Sequence, residues 1–248
     1  MDHEILLYKL NYYGIRGIAL DWFKSYLSNR MQMVYINEVY SNINPISFGV
    51  PQGSILGPLL FLIYVNDLNC CIRYSNTYHF ADDTNLQLIS NSLNKLNRYM
   101  NHDLSNLVQW LRANKISLNA KKTVLILFKT PKTKFCKQNK KNLPKYLNFR
   151  ISGQKLSPAK EIKYLGVTLD ENLSFKSHVS ELSIKLSRAN GMLAKVRHYV
   201  NFETLINIYH AIFGSHLRYA CQIWGQANTT SLTKISSLQN KAMRLIHF

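Results

Sequence analysis

Acidic side chains are scarce in this chain: 13 Asp and Glu stand against 31 Lys and Arg in 248 residues, a formal charge of +18. That imbalance is the electrostatic footprint of a protein that meets nucleic acid. The rival, attraction to anionic lipid, would gather the basic residues on one amphipathic helix, whereas here they are spread along the whole chain. Long apolar runs are missing too. The best of them, Ile55 to Val65, contains Gly57 and Pro58 and is too short to cross a bilayer, so no membrane partner is expected. No basic-then-apolar leader opens the sequence, which points to an intracellular protein, nuclear or cytoplasmic, not a secreted one. Cysteine is sparse. Cys70, Cys71, Cys136 and Cys221 show no C-x-x-C spacing, and the adjacent pair is poorly placed for a disulfide or for zinc, which fits reduced thiols. The eight histidines have no metal-ligand spacing, and His79, His102 and His178 read as ordinary.

What is present is globular. Hydrophobic residues make up 46% and aromatics 12%, enough for one large domain or two small ones. Ile5, Leu6, Leu10 and Tyr13 form a short helical stripe that Gly14 stops, and a second stripe, Ala19, Trp22, Phe23, Tyr26 and Leu27, follows Gly17. Met31 to Ile36 alternates like a strand, with Ile46 to Val50 as its expected partner. Pro51-Gln-Gly-Ser-Ile-Leu-Gly-Pro58 reads as a shaped loop before an apolar helix at 59–68. Asp67 is expected to cap a turn. Leu93, Leu96, Met100, Leu104, Leu107 and Leu111 recur at helical spacing. Trp110, at the end of that helix, reads as core. Val124 to Phe128 is expected to be a buried strand, residues 129–145 a basic loop, and 147–151 and 164–169 two further strands. From Phe175 the apolar period turns helical, with more helices at about 202–217 and 231–247. The shift from mixed to all-helical composition sets a domain boundary near residue 171.

The most informative residues are Asp82 and Asp83. Strand-like segments flank them, 74–80 and 84–89, so the two carboxylates are expected at the tip of a tight hairpin. Adjacent like charges repel, and a cation between them removes the repulsion. Taken alone, the dipeptide also reads as a solvated turn.

Four motifs occur in order: Pro51-Gln-Gly-Ser-Ile-Leu-Gly-Pro-Leu-Leu-Phe61, Phe80-Ala-Asp-Asp83, Leu118-Asn-Ala-Lys-Lys-Thr123 and Tyr164-Leu-Gly166. Together with Asp2-His-Glu-Ile-Leu-Leu7, Tyr13-Gly-Ile-Arg16 and Trp22-Phe-Lys-Ser-Tyr-Leu27, they make the chain resemble the reverse transcriptase domain of non-LTR (LINE-type, jockey-like) retrotransposons, over essentially its whole length. The resemblance implies an α+β fold: a partial right-hand polymerase palm over 1–170, an antiparallel sheet with packed helices, then an all-α thumb-like region over 171–248. It implies RNA-directed DNA synthesis with two Mg²⁺ ions, and an RNA template, a DNA primer and dNTPs as partners. On the family pattern Asp82 is the surer metal ligand. Asp83 acts through direct coordination or through its field. Ala81 is small beside the primer terminus, and Gln52 and Gly53 lie against template and nucleotide. Ser54 caps the loop or touches nucleic acid. Lys122 stands near the triphosphate as a candidate general acid, with Lys121 as the neighbouring register and a solvated lysine as its plain alternative. The resemblance also places a further catalytic aspartate upstream of the segment matching Asp2-His3, so the third carboxylate and the fingers are expected to be absent and residues 1–248 to be weakly active alone. The alternative is a non-catalytic, basic nucleic-acid-binding module derived from such an element.

Overall fold

A computed structural model describes residues 1–51, 53–119, 122–128 and 147–247. Gln52, and the basic loop expected at 129–145, lie outside the described residues. The chain divides into two compact units, Met1–Thr123 with Asn142–Leu156, and Val124–Lys141 with Ser157–Phe248. Among the described residues no helix is long and apolar enough to cross a membrane.

The first unit begins with α1 (His3–Tyr12) and α2 (Ile18–Leu27). Asp2 caps α1 from outside: its carboxylate accepts from the Glu4 and Ile5 amides, which have no partner within the helix. Leu6, Leu10 and Leu27 are buried with Leu60, Tyr64 and Val65 of α3 (Leu56–Val65), which continues as a 3₁₀ turn, Asn66–Cys71. Between α2 and α3 the expected pairing is corrected. Met31–Gln32 (β1) pairs with Asn44–Pro45 (β4), and Tyr35–Ile36 (β2) with Val39–Tyr40 (β3). Asn37 and Glu38 both take positive φ (49° and 65°), and that two-residue turn folds the chain back before 46–50 can serve as partner.

Next come the hairpin of β5 (Asn76–Phe80) and β6 (Asp83–Gln87), then α4 (Leu93–Ala113). Leu107 and Leu111 of α4 form a small core with Leu68, against which Leu86 of β6 packs. The later hairpin, β8 (Phe149–Ile151) with β9 (Gln154–Leu156), docks on α4 through two asparagines. Asn97 accepts from the Asn148 amide, and Asn101 accepts from Arg150 and donates to the Asn148 carbonyl.

In the second unit β7 (Leu125–Ile126) is half-buried rather than buried and pairs in parallel with β10 (Pro158–Ala159). The single strand expected at 164–169 is instead a hairpin, β11 (Glu161–Tyr164) with β12 (Val167–Asp170). Leu165 and Gly166 take φ of 43° and 79° and turn the chain there. The Tyr219 hydroxyl donates to the Leu165 carbonyl, and its ring lies 3.2 Å from where a Cβ on Gly166 would sit, so glycine serves both conformation and contact. The helices are α5 (Lys176–Val196), α6 (Phe202–Tyr209), a π turn at His210–Gly214, α7 (Ser215–Arg218), α8 (Cys221–Trp224) and α9 (Thr229–His247). Their core holds Leu182, Leu186, Leu193, Phe213 and Ala242 together with Val167 of β12. Residues 157–170 therefore pack with the helices, and the compact units differ from a division at residue 171.

Candidate active site

The register Phe80↔Asp83 leaves only Ala81 and Asp82 in the turn of the β5–β6 hairpin. Ala81 takes φ 52°, the left-handed value such a turn needs and one that costs a side-chain-bearing residue. Paired residues share a face of the ladder, so Thr77 with Leu86 and His79 with Thr84 form one side, and Tyr78 with Asn85 and Phe80 with Asp83 the other. The first side is held. Leu86 packs on the α4 core, His79 Nε2 lies 2.9 Å from Asn69 Oδ1, His79 Nδ1 lies 3.3 Å from Thr84 Oγ1, and Thr77 donates to the same Asn69 oxygen. The second side is open: Tyr78 and Phe80 are half or more exposed.

Both carboxylates at the tip are exposed, and among the described residues neither carries an ion pair. Two adjacent hard oxygen donors, unneutralised in a chain of charge +18, suit Mg²⁺, which is commonly held by one or two carboxylates completed by substrate phosphates and water. Among the described residues no group of three or more His, Cys, Asp or Glu could hold a metal ion.

The root of the hairpin rests on a residue the sequence does not flag. Asp103, on α4, is fully buried and accepts from the amides of Arg73, Tyr74 and Ser75, at 2.7 to 3.3 Å. Burial pushes this carboxyl upward, but the polar groups of Ser75, Arg73 and Tyr74 together hold it below the usual range. A lone Asp in an amphipathic helix looks solvated, and its partners stand 28 to 30 positions upstream.

The other predicted residues lie on loops of the same unit. Gly53 is exposed at φ 80°, with open space where a Cβ would stand. Ser54 shapes the entry to α3, its hydroxyl accepting from the Gly57 amide at 3.1 Å. Lys122 is exposed, its amide donating to Asn119 in a short turn. Among the described residues no hydrogen bond or ion pair joins Gly53, Ser54 or Lys122 to the carboxylates; the hairpin brings together Asp82 and Asp83 alone.

Two expectations change. Asp67 does not cap a turn but takes the ammonium of Lys9 at 2.6 Å. Lys9 also donates to the Tyr64 carbonyl and lies over the rings of Tyr64 and Trp110. His79 is no bystander but the strut between Asn69 and β6. Trp110 packs against both cores of the unit, as expected of a core residue.

Residues 1–169 match the family described as reverse transcriptase (RNA-dependent DNA polymerase). The chain is 31% identical to a probable RNA-directed DNA polymerase from transposon BS of Drosophila melanogaster, across 97% of this chain and 26% of that protein. It is 29% identical to the RNA-directed DNA polymerase from mobile element jockey of the same fly, across 90% of this chain and 24% of the relative. To a Pol polyprotein from the type-1 retrotransposable element R1 of Bradysia coprophila it is 24% identical, across 90% and 21%. The chain spans about a quarter of the length of these relatives.

Proposed function

The chain belongs to the reverse transcriptase family, and from that premise we propose that the β5–β6 hairpin is the metal-holding end of a site for RNA-directed DNA synthesis. The observation that carries the proposal is a pair of adjacent, exposed, unpaired carboxylates at the tip of a hairpin, Asp82 in its two-residue turn and Asp83 opening β6, whose root is fixed by a buried anchor. In this reading residues 1–170 are palm-like and residues 171–248 are thumb-like, with an RNA template, a DNA primer and dNTPs as partners.

In the reaction the primer 3′-hydroxyl attacks the α-phosphorus of the incoming nucleotide and pyrophosphate departs. Divalent magnesium, when bound, supplies positive charge where negative charge develops. The residues themselves do the following. Asp82 and Asp83 offer the oxygens that hold the cation. Ala81 keeps the turn narrow beside the primer terminus. Gly53 leaves backbone open to the template or nucleotide, Gln52 offers a donor and an acceptor to a base or sugar, and Ser54 fixes the loop they share. Lys122 stands as the group that can give a proton to the leaving pyrophosphate.

Two carboxylates are a lean donor set for two cations, so residues 1–248 by themselves are expected to extend a primer slowly. The test is extension on an RNA template with Mg²⁺, wild type against Asp82→Asn. Slow extension that Asp82→Asn abolishes supports the reading. Fast, processive extension contradicts the expected slowness. RNA binding without extension, indifferent to Asp82→Asn and to Mg²⁺, favours a non-catalytic binding module instead.

A further inference from the structure

Away from the hairpin tip, the junction of β5 and α4 carries a second arrangement. Tyr74, two residues before β5, stacks on Tyr99 of α4 with ring centroids 4.1 Å apart and planes within 9°. Arg73 lies over the Tyr74 ring, at 5.6 Å, and Arg98 over the Tyr99 ring, at 5.1 Å. His102, one turn along α4, meets Tyr74 edge-on at 5.3 Å. Both arginines are exposed, and among the described residues neither has an acidic partner. Asp103, five positions after Arg98 on α4, is spent on the amides of 73–75, with His102 Nδ1 3.6 Å from it.

We propose that Arg73, Tyr74, Tyr99 and Arg98 form a binding site for the phosphodiester backbone of a nucleic acid strand. A guanidinium binds phosphate through a planar fork of donors, and its cost is the freedom the long side chain gives up. Here the stacked tyrosines restrict both arginines in advance, and the Asp103 anchor fixes the segment that carries Arg73 and Tyr74 to the helix that carries the other pair. Each ring stacks on the other and has an arginine over it, so the site offers charge and donors rather than a free stacking surface, which selects phosphate over bases. An acidic peptide carries the same sign of charge. Nucleic acid is favoured by a charge of +18 spread over the whole chain and by the family to which the chain belongs, and the inference rests on that reading of it as a protein that handles nucleic acid. Tyr74 lies six positions before Phe80, about 20 Å along an extended strand. The site therefore holds a strand outside the reacting centre.

The test is fluorescence anisotropy of a labelled single-stranded RNA with the whole chain, in EDTA, over a series of salt concentrations. Each phosphate contact to a single strand adds about 0.7 to the slope of log K against log salt. Arg73→Ala with Arg98→Ala is expected to lower that slope by about 1.4 and the affinity by roughly 20-fold at 0.1 M salt. Tyr99→Ala should weaken binding with little change of slope, and Tyr99→Phe, which keeps the stack, should restore it. If the double variant does not fold by circular dichroism, Arg98→Gln alone should lower the slope by about 0.7. An unchanged slope and affinity in a folded variant overturns the proposal, as does tighter binding of a labelled polyglutamate peptide at the same residues. Because the assay contains no divalent metal, it reads separately from primer extension. Loss of extension in Asp82→Asn with RNA binding intact leaves this site standing, and intact extension with binding unmoved in the arginine variants overturns this site alone.

Discussion

Asp103→Ala is expected to destabilise the first unit by about 3 to 5 kcal/mol, the range for removing one member of a buried charged network. The carboxylate is wholly inaccessible and its acceptors are engaged by consecutive backbone amides. Alanine takes the acceptor from three consecutive part-buried amides, at up to about 1 to 3 kcal/mol each before relaxation. Asp103→Asn keeps one carbonyl oxygen and should lose about half as much. The same carboxyl is held below its unfolded value in the native state. Its contribution is therefore fully present above the unfolded value of about 3.9 and is lost as pH falls through the lower, folded value. Urea denaturation at pH 7 and at successively lower pH checks both parts: wild type loses stability on acidification, and the Asn variant loses less. An Ala variant as stable as wild type would remove the anchor from the account.

The second large effect is expected at Lys9. This side chain is 9% exposed and its partner Asp67 38% exposed. Lys9→Ala removes an ion pair, a hydrogen bond to the Tyr64 carbonyl, the ammonium over the Tyr64 and Trp110 rings, and the buried stem that carries it. A loss of about 3 kcal/mol is expected, at the low end for breaking a buried pair because water still reaches Asp67. Lys9→Met keeps the length of the stem but leaves Asp67 and the Tyr64 carbonyl without their donor, so it should cost about 2 kcal/mol, less than alanine only by the packing it retains. The order Ala worse than Met, read from denaturation midpoints, assigns part of the stability to packing. Equal losses would assign all of it to the charge.

These two residues also mark where the sequence stops being readable. Helices α1, α2 and α4 announce themselves through apolar spacing and glycine stops, because their signals are local. The Asp82-Asp83 hairpin is local as well: two short β-forming runs, 74–80 and 84–89, with three residues between them. Asp103 and the Lys9–Asp67 pair are not local. Their partners lie 28 to 30 and 58 residues away, and a polar residue in an amphipathic helix looks the same whether it meets water or a buried amide. The hairpin at 161–170 was hidden for another reason. Leu165, a residue of ordinary strand composition, takes the left-handed conformation of the two-residue turn, and its carbonyl accepts from Tyr219, 54 positions away. For the site, the residue order locates the carboxylates, whereas the roles proposed for Gly53, Ser54 and Lys122 come from family likeness and not from any contact that joins them to the pair.

The central claim is that the tip of the β5–β6 hairpin holds a divalent cation. Manganese titration of the ¹⁵N-labelled chain tests it most directly, since the paramagnetic ion broadens amides near where it binds. The account predicts that the amides of residues 81–84 broaden first and together, and that Asp82→Asn abolishes this while the rest of the spectrum stays folded. Uniform broadening, first broadening at a site outside the hairpin, or an unchanged pattern in Asp82→Asn would contradict it.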